Sequence, residues 1–170
     1  MPGAGRLDEG DEIMARAVED RRGFGDLTRE GTWAQVFAAV VGVTFLLVGI
    51  LGFIPGITTD YDMMEFAGHD SDAQLFGIFD VSVLHNIVHV SFGLAGLVLF
   101  RAHTTARWYL VGGGAIYLVL WLYGLAVDKT SDANFVPVND ADDWLHFGLG
   151  VGMVVLGALT WRPQRRLDHA

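Results

Sequence analysis

Four stretches of the chain carry no Asp, Glu, Lys or Arg: Trp33–Ile54, Val81–Phe100, Trp108–Val127 and Trp144–Trp161. They are 22, 20, 20 and 18 residues long. A bilayer core about 30 Å thick is crossed by about 20 apolar residues of helix. A helix suits that setting because it satisfies its own backbone polar groups where no water can. The segregation of charge therefore predicts an all-α, polytopic membrane protein, with four transmembrane helices in an up-down-up-down bundle. Only 18% of the 170 residues are charged and 52% are hydrophobic, against about 25% charge in an ordinary soluble domain. A soluble enzyme is excluded on this ground. The net charge of −9 excludes a nucleic-acid partner, since phosphate binding needs clustered Lys and Arg. With no cysteine, disulfides and thiolate ligands are excluded as well.

Three regions follow. Residues 1–32 form a polar arm of mixed charge, expected to be mostly disordered, with no signal peptide. Residues 33–161 form the transmembrane domain, with helices at 33–54, 81–100, 108–127 and 144–161. Residues 162–170 form a basic tail. Lys and Arg mark the cytoplasmic side. Arg6, Arg16, Arg21, Arg22, Arg29, Arg101, Arg107, Arg162, Arg165 and Arg166 fall on one side, and Lys129 alone on the other. Both termini are therefore expected in the cytoplasm of a bacterial cell, with the acidic loops 55–80 and 128–143 facing outward from the plasma membrane. Trp33, Trp108, Trp144 and Trp161 stand at the interfaces that indoles favour.

The helices show a pairwise echo. Trp33 precedes Gly49 by 16 residues, as Trp108 precedes Gly124. His85 precedes Gly96 by 11 and Arg101 by 16, as His146 precedes Gly157 and Arg162. This spacing suggests a duplicated hairpin, the two copies running in parallel. Glycine, at 22 residues, supplies the close backbone approach by which helices associate in lipid. The pair Gly148 and Gly152 reads as one such contact, and Gly112-Gly113-Gly114 as packing rather than a phosphate cradle. Pro55 and Gly56 read as the end of the first helix. The mixed segment Ala73–Asp80 reads as an outward extension of the second helix or an interfacial stretch, and Asn134–Pro137 as a turn dipping Phe135 towards the membrane.

Three histidines carry the functional question. A step of 100° per residue groups His85, His89, Phe92 and Gly96 on one face, and His146, Gly150, Met153 and Gly157 on another. At 1.5 Å per residue, His85 lies about 24 Å from Arg101, hence about 6 Å inside the outer edge of the core, with His89 about 12 Å inside. His146 shares the depth of His85, and Tyr123 reaches a similar level. Ionisable groups inside a bundle are costly and point to function. Three roles stay open. The imidazoles hydrogen-bond carbonyls, Ser82, Asn86 or carboxylates and so hold helices together. Alternatively, His85, His89 and His146 ligate a divalent metal or a haem. As a third option, they handle protons or touch a substrate. His69 and Asp70, in the first outer loop, form a further candidate ion site. No catalytic residue is identified: there is no nucleophile triad, phosphate loop or dinucleotide fingerprint.

The runs Gly49–Thr59 (GILGFIPGITT), Phe66–His69 (FAGH), Val83–His89 (VLHNIVH), Leu118–Gly124 (LVLWLYG), Ala133–Pro137 (ANFVP) and Trp144–His146 (WLH) together resemble a family of small bacterial membrane proteins common in actinobacteria, the domain of unknown function 4383. The resemblance spans about residues 33–161. It implies a four-helix membrane protein and implies no activity.

The expectation from these readings is a structural or accessory component of an envelope or redox assembly, without catalysis of its own. Its partners would be the lipid bilayer and other membrane or envelope proteins. The alternative is a metal- or haem-binding membrane redox protein using His85, His89 and His146. A weaker alternative is a small-solute transporter working as a homo-oligomer, since four helices enclose little room for a path.

Overall fold

The computed structural model describes residues 32–161. Four α-helices run through them: α1 (Trp33–Leu51), α2 (Val83–Leu99), α3 (His103–Ala126) and α4 (Asp140–Leu159). α1, α3 and α4 are each long and apolar enough to cross a membrane, and α2 is a shorter apolar helix of 17 residues. All four carry large apolar side chains on their outer surfaces, among them Leu47, Val98, Val119 and Leu159. Helices apolar on the outside as well as within belong in a bilayer. The expectations for the arm up to residue 31 and for the tail 162–170 lie outside the described residues.

Helix ends depart from the charge-free windows, and caps explain the departures. α1 stops at Leu51, before Pro55, because the Thr58 hydroxyl turns back to donate to the Gly52 carbonyl (3.2 Å). α3 starts at His103, five residues ahead of its charge-free window. α4 starts at Asp140, where Asn139 Oδ1 accepts from the Ala141 and Asp142 N–H groups (2.8 and 3.0 Å). Asp142 Oδ2 in turn accepts from the Asn139 N–H (3.0 Å), closing a capping box. Asp140, Asp142 and Asp143 thus occupy the first turn of α4, where the helix dipole favours negative charge. Charge marks where lipid begins, not where a helix ends.

The segment Ala73–Asp80 is not a helical extension of α2. It pairs into a small antiparallel sheet of β1 (Thr58–Thr59), β2 (Gln74–Leu75) and β3 (Phe79–Asp80), ordered β1-β2-β3. Phe76 and Gly77 take positive φ (57° and 68°) at the turn between β2 and β3. Ser82 forbids continuation: its backbone is extended, and its buried hydroxyl accepts the His85 N–H (3.1 Å) as the α2 cap. Ala73, Leu75 and Val81 are buried beneath this sheet and pack with Val48 and Leu51 at the end of α1.

Two helix pairs form the core. α1 lies on α2 with Gly42 beside Gly93 and Gly49 beside Asn86 and Val90. α3 lies on α4 with Gly114 beside Gly150 and Gly157 beside Val111. Phe45, Tyr109, Leu110, Tyr117 and Met153 fill the space between. The contact face expected of Gly148 and Gly152 is not used: a methyl at either would meet nothing within 4 Å, as also at Gly112. The packed glycines of α4 are Gly150 and Gly157, one helical face away.

Candidate functional site

His85 and His89 project from the first turns of α2, and His146 from the second turn of α4. The structure brings all three to one place, together with Tyr117 of α3. The His85 and His89 rings meet edge to face with centroids 4.2 Å apart. Tyr117 stands edge-on to His146 at 5.2 Å. Phe45 of α1 closes the far side, 5.1 Å from Tyr117 and 5.5 Å from His89. His89 and His146 are buried, at 8% and 5% exposure.

Both nitrogens of His89 are occupied. Nδ1 lies 3.0 Å from the His85 carbonyl, one turn back. A carbonyl only accepts, so the hydrogen of the neutral ring sits on Nδ1. Nε2 is then an acceptor, and the Tyr117 hydroxyl donates to it at 3.2 Å. His89 thus joins α2 to α3. His85 and His146 differ. Nδ1 of each is closed off from the surface and has no hydrogen-bond partner among the described residues. Both rings line two cavities. One, about 180 Å³, lies between α2 and α3. The other, about 80 Å³, reaches Val48 of α1 and Leu149 of α4.

The metal set expected of His85, His89 and His146 does not assemble. Among the described residues no group of three or more His, Cys, Asp or Glu side chains is placed to hold a metal ion. The physical reason is that His89 spends its two nitrogens on a carbonyl and a phenol.

The supporting residues have separate duties. Ser82 caps α2. Asn86, fully buried, sits against Gly52, where a methyl would collide with its Oδ1. Its Nδ2 faces the Met64 sulfur at 3.8 Å. Tyr123 does not join the cluster; its hydroxyl donates to the Ala133 carbonyl (2.6 Å) and ties α3 to the following loop. Six residues of helix turn Tyr123 about 240° away from Tyr117. Tyr117 was the residue missed, although it follows Gly113 by one turn on the packed face of α3.

A second polar group lies towards the long loops. Lys129 Nζ donates to Asp143 Oδ2 at 2.5 Å, with Asp143 buried and Lys129 partly exposed. Asp142 Oδ2 also accepts from the Asp80 N–H (3.1 Å), pinning β3 to the start of α4. The Thr130 N–H and hydroxyl hold the exposed Asp128 carboxyl below its usual pKa range. His69 lies 3.4 Å from Asp70, whose side chain is 82% exposed. It lines an open cavity of about 460 Å³ with Asp80, Lys129 and Asn139, apart from the histidine cluster.

A family model, the domain of unknown function (DUF4383), matches residues 35–159, which include the whole cluster. No curated protein and no solved structure matches the chain. The match covers well over half of the sequence, and the chain belongs to the DUF4383 family.

Proposed function

We propose that this chain is a plasma-membrane protein acting as a structural or accessory component of an envelope or redox assembly, with its polar cluster holding the helices in register. The observation that carries this reading is His89, whose two ring nitrogens face the His85 carbonyl and the Tyr117 hydroxyl. A group with both nitrogens committed to neighbours is a connector between helices, worth about 0.6 kcal/mol per bond on average in membrane proteins.

The proposed arrangement is an up-down-up-down bundle with both termini in the cytoplasm. Antiparallel neighbours are supported by the order of contacts. Gly42 meets Gly93 while Gly49, further along α1, meets the earlier Asn86. Gly114 meets Gly150, and Gly124 the earlier Asp143. A duplicated hairpin is supported by equivalents at both levels: His85 and His146 line the same cavities, and Gly96 and Gly157 both pack closely against α3. The excess of Arg in the tails and the short connection supports the orientation. The chain lacks cysteine, so single-cysteine labelling is clean. With a membrane-impermeant maleimide on intact cells, Thr130→Cys is expected to react at once and Thr104→Cys only after lysis. The opposite pattern overturns the orientation.

A further inference from the structure

The cavity between α2 and α3 is lined almost wholly by apolar surface, with its few polar groups gathered on one wall. Its apolar wall includes Val88, Ile116, Leu120 and Phe135. Val88, Ile116 and Phe135 are each about half exposed, at 52%, 53% and 54%. The cavity therefore opens sideways through the surface that the bundle turns to lipid tails. Its inner wall carries His85, His146 and Tyr117. The His85 and His146 rings are unspent: Nδ1 of each is sealed and unpartnered, which leaves Nε2 as the nitrogen that an occupant reaches. An occupant that pairs with Nε2 gives each ring a hydrogen bond, which buried polar side chains rarely go without.

We infer that this cavity binds the ring of a neutral, lipid-soluble carbonyl compound of the quinone type, with His85 and His146 as its hydrogen-bonding wall. The inference goes beyond the structural reading above and rests only on its membrane placement. About 180 Å³ admits one ring system and not a whole lipid, so an apolar tail would pass out between Val88 and Ile116 into the bilayer. Phe92, Tyr117 and Phe135 give the ring aromatic walls. An anionic head is disfavoured, because Asp142 and Asp143 lie four and three residues before His146 on the same helix. A neutral imidazole serves both ring oxidation states: it donates to a carbonyl oxygen from one tautomer and accepts from a hydroxyl in the other. Only binding is assigned; no electron transfer is.

The test uses the full chain in nanodiscs and radiolabelled 2,3-dimethyl-1,4-naphthoquinone, with protein-free nanodiscs subtracted. Saturable binding, one per chain, is expected. The same ring without oxygens, 2,3-dimethylnaphthalene, is expected to compete at least tenfold more weakly. His146→Leu removes a polar partner and is expected to weaken binding at least tenfold. Ile116→Trp fills the opening without touching the histidines and is expected to do the same in a protein that remains folded. Val119→Trp, on the lipid-facing side of α3, is expected to leave binding unchanged. No saturable binding to folded protein, equal competition by the naphthalene, or full binding by Ile116→Trp overturns the proposal. Recovery of the chain in the aqueous supernatant without detergent overturns the membrane placement instead, and is read before any ligand is added.

Discussion

Gly93 and Gly148 are both apolar-helix glycines, yet replacing each by alanine should act in opposite directions. At Gly93 a new methyl would come 2.5 Å from the Leu46 nitrogen and 2.8 Å from the Gly42 carbonyl oxygen, both backbone atoms of α1. Ordinary contact begins at 3.4 Å, so α1 and α2 must part by about 0.9 Å. Gaps of about 0.5–1 Å forfeit a quarter to a half of the dispersion energy of each contact across them. Lipid offers no hydrophobic drive to make good the loss. Overpacking of this kind costs about 1–3 kcal/mol, and the better helix propensity of alanine returns up to about 1 kcal/mol. Gly93→Ala is therefore expected to destabilise by up to about 2 kcal/mol. At Gly148 the methyl meets nothing within 4 Å, and only the propensity gain remains, about 0.5–1 kcal/mol of stabilisation. Equilibrium unfolding by SDS in mixed micelles, followed by helical circular dichroism, reads both. Equal shifts of the two midpoints, or a larger loss at Gly148, would refute the reasoning and return Gly148 and Gly152 to the helix interface.

The cluster can be tested in the same titration. Tyr117→Phe leaves His89 Nε2 without its donor and should cost about 1–2 kcal/mol, whereas Tyr123→Phe, at a hydroxyl near the surface, should cost less than about 0.5 kcal/mol because water replaces the bond; equal costs would contradict the placement of the two tyrosines. Lys129→Met strands the buried Asp143 carboxylate and should cost about 3 kcal/mol, the low end for a broken buried pair because Lys129 is partly exposed. Adding Asp143→Asn should restore most of it, and additive losses would show that the pair is not coupled.

What could be read in advance was what one-dimensional patterning encodes. The four charge-free runs marked four apolar helices, and the 100° periodicity grouped His85 with His89 and placed His146 on the inward face of its helix. The histidines were legible because a bilayer makes any polar side chain conspicuous among Val, Leu and Gly. Tyr117 was not, because an aromatic residue inside an apolar run looks the same whether its hydroxyl meets a histidine or lipid. The helical reading of Ala73–Asp80 failed because a two-residue strand has too few positions to show alternation, and its pairing depends on Thr58, some fifteen residues away.

The remaining decisions needed three dimensions. Helical spacing put Gly148 and Gly150 on different faces and offered both as contacts, Gly150 with His146 and Gly148 with Gly152; the packing of α4 on α3 chose Gly150. Nor could spacing distribute hydrogen bonds. Whether three imidazoles converge on a metal or divide their nitrogens among neighbours depends on ring directions within a few tenths of an ångström. Those directions are set by the approach of α3 to α2, which brought the Tyr117 hydroxyl to His89 and left His85 and His146 facing a cavity. Hydrophobicity is local and additive along a chain, so composition settled the class and the spans. Polar chemistry is directional and short-ranged, so it was settled by the packing.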